Sequence, residues 1–75
     1  MRELNQDTKK ELNKKRAYFE DRWNNGGGFM RKLCDTITVA DTSNLIKLHK
    51  AFPELVEGYI AYGKGKTWEE FIQAK

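Results

Sequence analysis

The 75-residue chain carries a formal net charge of +3, with 14 lysine or arginine residues against 11 acidic residues. Its length predicts one small domain, and its single cysteine, Cys34, excludes an internal disulfide. One cysteine and one histidine are too few for a four-ligand structural zinc site of the usual kind. Stability must therefore come from well-formed helices, or partly from self-association into a small homo-oligomer.

The expected location is the cytoplasm. No apolar stretch follows Met1 as a secretory signal would. No segment approaches the roughly 20 apolar residues that span a bilayer, so we expect no membrane contact. A lone cysteine without a disulfide framework is typical of a reducing compartment.

Residues 5–24 predict a first helix, because they lack glycine and proline and are rich in good helix formers. The apolar residues Leu12, Phe19 and Trp23 fall on one narrow stripe, so we expect this helix to dock mainly through its C-terminal half. The helix also carries most of the local charge. Residues 9–16 contain five lysine or arginine residues against one glutamate.

The segment Asn24-Asn25-Gly26-Gly27-Gly28 is predicted to end the first helix. Asparagine and glycine accept the left-handed backbone angles found at helix ends. We interpret residues 1–24 as a polar, basic helix, residues 25–28 as a Gly-rich turn, and residues 29–75 as a compact helical core. We expect the glycines to make a tight reversal that folds the first helix back onto this core.

Residues 29–40 predict a second helix with a wide apolar face, and Pro53 separates a third helix from a fourth. The short run Thr36-Ile37-Thr38-Val39 resembles a strand, but the chain offers it no partner strand. Asp41 or Thr42 is the expected N-cap of the third helix, and Thr67 with Glu70 predicts a capping box for a last short helix. The residues expected to face the core in the second to fourth helices are Phe29, Met30, Leu33, Cys34, Ile37, Ala40, Leu45, Ile46, Leu48, Phe52, Leu55, Val56, Tyr59, Ile60 and Tyr62. The predicted fold is all-α, a small bundle of four to five short helices.

Catalytic chemistry finds little support in the sequence. His49 lies among apolar helical neighbours with no nucleophile or carboxylate placed beside it by spacing, so we expect a packed, hydrogen-bonded histidine. Cys34 lies next to Asp35, and a reactive thiol needs an electropositive setting instead. The acids Glu54 and Glu57 are interpreted as exposed charges near a helix start. We expect no enzyme activity, catalytic residue, cofactor or metal.

Two groups of residues are candidates for binding. Tyr18, Arg22 and Trp23 are of the types that dominate protein interfaces, and they form a candidate contact patch for a partner. Basic side chains are the candidates for contact with phosphate or with an acidic partner. They are Lys9, Lys10, Lys14, Lys15 and Arg16 on the first helix, with Lys64 and Lys66 before the last helix.

Three segments carry a resemblance to known proteins. They are Tyr18-Phe19-Glu20-Asp21-Arg22-Trp23, Gly28-Phe29-Met30-Arg31-Lys32-Leu33 and Lys50-Ala51-Phe52-Pro53-Glu54-Leu55-Val56-Glu57. The stretch that contains them resembles short helical proteins of bacteriophages and of mobile elements of gut bacteria. This resemblance implies a small helical protein. It implies no catalytic or binding residue, because those proteins carry no assigned activity.

The sequence favours a non-catalytic binding or adaptor module that acts through contact with a protein partner. The alternative is non-specific nucleic-acid binding through the basic first helix, which would weaken steeply with salt. The identity of the partner does not follow from the sequence.

Overall fold

The computed structural model describes residues 6–73, and within them the chain is all-α, as predicted. Five helices follow one another with short connections. They are α1 (Gln6–Asn25), α2 (Gly27–Val39), α3 (Thr42–Ala51), α4 (Pro53–Lys64) and α5 (Trp68–Gln73).

The junction between α1 and α2 is shorter than the sequence predicts. The second helix begins at Gly27 rather than at residue 29, so Gly26 alone separates the two helices. The backbone N–H of Gly26 donates to the carbonyl of Arg22 at 3.0 Å. Gly27 then reverses the chain with a φ of 91°, which glycine adopts without a steric cost. The tight reversal is therefore confirmed, but Gly27 and Gly28 belong to the next helix.

The other helix boundaries follow the predicted local signals. The side chain of Asp41 caps α3 by accepting the backbone N–H of Asn44 at 2.9 Å, and Pro53 occupies the first turn of α4. Gly65 ends α4 in the left-handed conformation. The capping box before α5 is formed, with the N–H of Glu70 donating to the Thr67 hydroxyl at 3.2 Å.

Helices α1 and α4 form the main packing pair of the bundle. Lys15 of α1 meets Glu57 of α4, and eight residues further along α1 Trp23 meets Tyr62. The two helices therefore run in the same direction. They enclose a core with α2 and α3, and its most buried side chains are Leu12, Phe19, Cys34, Ile37, Leu45, Leu55, Val56, Ile60 and Ala61.

Three residues predicted to face the core are exposed at the surface. Phe29 is 72% exposed, Tyr62 is 41% exposed and Ile46 is 39% exposed. One side of the Tyr62 ring still packs against Phe19 and Trp23. Phe29 stands at the edge of the predicted apolar arc in the first turn of α2, where no other helix covers it. In α3 the narrow side that holds Leu45 packs inward, and Ile46 lies 100° further round that helix. The apolar faces of α2 and α3 that pack inward are therefore narrower than the sequence predicts.

Candidate interaction surfaces

Tyr18 and Arg22 form a pair on one flank of α1. They are one helical turn apart, and the Arg22 guanidinium lies 5.0 Å from the centroid of the Tyr18 ring. Such a cation–π contact holds both side chains in place. Beside the tyrosine is a hollow of ≈220 Å³ between α1 and the start of α4, lined by Lys14, Lys15, Tyr18 and Glu54. We call these four residues and Arg22 the Tyr18 surface.

Trp23, the third predicted contact residue, is held by a different set of neighbours. Its indole N–H donates to the Asp35 carboxylate of α2 at 2.8 Å. Its ring packs on Phe19 at 5.2 Å and meets the edge of Tyr62 at 6.0 Å between centroids. The structure thus brings Tyr18 and Arg22 together, whereas Trp23 joins α1 to α2 and α4. Trp23 is half-buried and packs against the core.

The basic residues of α1 divide into two groups. Lys9, Lys10, Lys14 and Arg16 are exposed, but Lys15 is half-buried and forms an ion pair with Glu57. At 100° per residue, the four exposed cations spread over more than a third of the helix circumference. They form a broadly charged face rather than a narrow cationic stripe.

Glu57 is the centre of a polar network that sequence analysis missed. Its carboxylate contacts the Lys15 ammonium and lies 2.7 Å from Nε2 of His49. Burial raises the pKa of this carboxyl, but the hydrogen bonds and charges of Lys15 and His49 outweigh burial, so its pKa lies below the ordinary 4.5. The prediction of an exposed helix-start charge is therefore wrong. The carboxylate joins α1 and α3 through α4.

His49 is packed and hydrogen-bonded, as predicted. Besides its contact with Glu57, its ring stacks on Trp68 of α5 with centroids 4.2 Å apart and an interplanar angle of 6°. The expectation that no carboxylate stands near this histidine is wrong, because eight residues of chain bring Glu57 back beside it. No signal in the residues around His49 indicates this return, which depends on the bend at Phe52 and Pro53.

Cys34 has the packing role that the sequence predicts. It is fully buried among the core side chains. Burial raises the pKa of its thiol, and the neighbouring charge of Asp35 raises it further. Within residues 6–73, no group of three or more histidine, cysteine or acidic residues is arranged to hold a metal ion.

Lys64 and Lys66 are exposed on either side of Gly65. A capping box at the start of α5 beside them already uses the backbone N–H of Glu70. The Glu70 carboxylate accepts the backbone N–H of Thr67 at 3.1 Å, and the Thr67 hydroxyl accepts that of Glu70. The two lysines therefore flank a closed capping box.

A further surface runs between α2 and α3. It is a groove of ≈400 Å³ lined by Thr36, Val39, Ala40, Asn44, Lys47 and Leu48. Val39 is 82% exposed beside it. In the sequence Val39 belongs to the strand-like run Thr36-Ile37-Thr38-Val39, and it is not among the residues expected to face the core. Its position on the solvent side of α2 follows from the 3.6-residue period once Cys34 and Ile37 are placed in the core.

Comparison with protein-family models, curated proteins and solved structures finds no match. Among the described helices, none has the length and apolar character needed to cross a membrane.

Proposed function

We propose that this protein is a non-catalytic binding module of the cytoplasm that acts through protein–protein contact at the Tyr18 surface. The observation that carries this proposal is the Tyr18–Arg22 pair beside a hollow between α1 and α4. Both side chains are half-buried. They have less rotamer entropy to lose on binding than free surface side chains have.

The residue types at this surface support a protein partner. Tyrosine and arginine are enriched among the few residues that dominate binding energy at protein interfaces. The tyrosine offers an apolar ring with a polar tip. The arginine stacked on it keeps N–H groups available to pair with a carboxylate.

The charges of the Tyr18 surface favour an acidic segment of the partner. Lys14 and Arg22 each bring a positive charge, and the charge of Lys15 is paired with Glu57. The exposed Lys10 lies one turn before Lys14 and extends the positive region along α1. Glu54, which lines the hollow, limits where an acidic side chain of the partner can be placed.

Non-specific nucleic-acid binding is the alternative, and the exposed cations Lys9, Lys10, Lys14 and Arg16 are the observation in its favour. Two features weigh against it. The cations are spread around α1, and Lys15, one of the five basic residues of the cluster, is paired with Glu57. A phosphate backbone is bound best by several cations that face it together.

The test is capture of partners from a host lysate by the full chain, after nuclease treatment. The Tyr18→Ala and Arg22→Glu variants should each reduce the captured amount of a specific protein at least tenfold. The matched control for charge is Arg31→Glu, which changes an exposed arginine of α2 and should leave capture unchanged. Equal loss in all three variants, or capture that nuclease abolishes, would contradict the proposal.

A mobility-shift assay at low salt distinguishes the alternative. The expected result is no shift of double- or single-stranded DNA or RNA at micromolar protein. A shift that disappears in Lys10→Glu, Lys14→Glu and Arg16→Glu variants, and that weakens steeply with salt, would support nucleic-acid binding.

The cytoplasmic location is part of the same proposal, and the lone, buried thiol of Cys34 supports it. The resemblance to small helical proteins of bacteriophages and mobile elements stays a prediction. It is consistent with a small adaptor that has no chemistry of its own. The genes that flank the coding sequence in its host provide the direct check.

A further inference from the structure

The outward face of α2 carries two large apolar side chains that the fold does not use. Phe29 in the first turn is 72% exposed and Val39 in the last turn is 82% exposed. Lys32 and Thr36 are exposed between them. The spacing of these four residues is three, four and three positions, so they lie on one stripe of the helix.

This stripe is symmetric about its own centre. If a second α2 lies against it in the opposite direction, Phe29 of each copy faces Val39 of the other, and Lys32 faces Thr36. Such a two-fold contact uses the same patch on both copies. The arrangement places no two like charges directly opposite each other, and it brings Lys32 of one copy near Asp35 of the other.

The groove between α2 and α3 supplies the receiving site. Val39 lines it together with Thr36, Ala40 and Leu48. Because Phe29 of the second copy faces Val39 in the antiparallel arrangement, its ring lies at this groove. Its ≈400 Å³ volume is ample for one phenyl ring. Its lining combines the polar residues Thr36, Asn44 and Lys47 with the apolar side chains of Val39, Ala40 and Leu48.

We propose that this chain forms an antiparallel homodimer through α2, in which Phe29 of each copy occupies the α2–α3 groove of the other beside Val39. The surface is separate from the Tyr18 surface, and the dimer therefore presents two Tyr18 surfaces. The proposed dimer does not depend on the function proposed for the Tyr18 surface.

The size of the helix predicts a weak, reversible dimer. The 13 residues of α2 span about 20 Å. The contact between two such helices stays below the roughly 1,200 Å² of total buried surface that characterises stable complexes. The association should therefore be followed over a wide concentration range, from about 1 μM to 1 mM.

Sedimentation equilibrium of the full chain tests the dimer. The wild type should move from monomer to dimer within this range, and Phe29→Glu and Val39→Glu should each weaken dimerisation at least tenfold. Ile46→Glu is the matched control, because it changes an exposed apolar residue that does not line the groove. Circular dichroism checks that each variant is folded. A wild type that stays monomeric, or a dimer that Phe29→Glu leaves unchanged, would overturn the proposal.

Cross-linking tests the direction of the helices. Proteins with the single substitutions Phe29→Cys and Val39→Cys are mixed under mild oxidation, with Ile46→Cys as the control for random collision. The antiparallel arrangement predicts that the mixed disulfide between positions 29 and 39 forms faster than either self-disulfide. Faster self-disulfides would indicate a parallel pair and contradict the arrangement, as would rates equal to those of the control.

Discussion

Gly58 of α4 lies directly against Phe19 of α1. A Cβ atom added to Gly58 would come within 2.9 Å of the Phe19 Cβ and within 2.7 Å of the Lys15 carbonyl oxygen. The two helices can approach this closely only because residue 58 has no side chain. The absence of one methyl group thus sets the distance between the two helices that form the main packing pair.

Replacement of Gly58 by alanine is therefore expected to destabilise the fold. Alanine in a helix normally gains about 0.5–1 kcal/mol over glycine, but overpacking of a close contact costs about 1–3 kcal/mol. The free energy of unfolding, measured by urea denaturation, should fall. Gly28→Ala is the control, because a Cβ there meets open space. Equal effects at both positions would show that α1 and α4 move apart freely.

The glycines of the α1–α2 junction should respond individually to alanine. Gly27→Ala places a side chain at a φ of 91°, and the left-handed region costs about 1–2 kcal/mol for a non-glycine residue. Gly26→Ala brings a Cβ within 2.6 Å of the Met30 Cγ, so it should also destabilise. Gly28→Ala should be neutral or stabilising. Thermal unfolding of the three single variants is the measurement, and three near-neutral results would indicate a loose tether.

The Glu57 carboxylate should make stability depend on pH in the acid range. Its pKa is lower in the folded chain than the ordinary 4.5. Its stabilising contribution is therefore complete above that value and is lost as the pH falls through the folded-state pKa. The free energy of unfolding should decrease on acidification below about pH 5, and Glu57→Gln should flatten this decrease.

The pH measurement is urea denaturation of the wild type and of Glu57→Gln at several values between pH 3 and pH 7. Glu20→Gln, which removes an exposed carboxylate of α1, controls for the change in net charge. If the free energy of unfolding falls equally with pH in the wild type and in Glu57→Gln, the contacts of Glu57 with Lys15 and His49 do not lower its pKa in the folded chain.

Trp68 should be the residue that docks α5. This helix has six residues and no fully buried side chain, and Trp68 connects it to His49 of α3 by ring stacking. Within α5 the Trp68 ring also packs on Phe71 at 5.7 Å between centroids. An isolated helix of this length is unstable in water. Trp68→Ala should cost about 0.5–3 kcal/mol and should accelerate amide hydrogen exchange in α5 more than in α1. Trp68→Phe keeps a ring for stacking and should retain most of the protection.

The sequence predicted the elements of the fold better than their contacts. The helix-end signals at Asp41, Pro53 and the Thr67–Glu70 box act on backbone groups only a few residues away. The ends of these helices could therefore be predicted from short stretches of the sequence. The Glu57 network was missed because it joins residues 15, 49 and 57, whose proximity depends on how α1 and α3 pack on α4. Phe29 was misplaced for a related reason. Helical periodicity gives the direction of a side chain, but only the neighbouring helices decide whether that side is covered.

Only part of the candidate site could be predicted from the sequence. Tyr18 and Arg22 are one turn apart on a helix, so their pairing follows from the sequence. Trp23 is adjacent to Arg22 in the chain, yet its neighbours in the fold are Asp35 and Tyr62. The hollow beside Tyr18 requires the start of α4, which lies about 36 residues further along the chain, and no local pattern indicates that approach.

The parallel pairing of α1 with α4 has a consequence for how the chain is made. Phe19 is synthesised well before its partners on α4, because 39 residues separate it from Gly58. At synthesis rates of roughly 5–20 residues per second, this gap lasts about 2–8 s. During that time the ring that will be the most deeply enclosed aromatic group of the core remains without its final cover. We expect the polar, highly charged remainder of α1 to keep the nascent segment in solution until α4 is made.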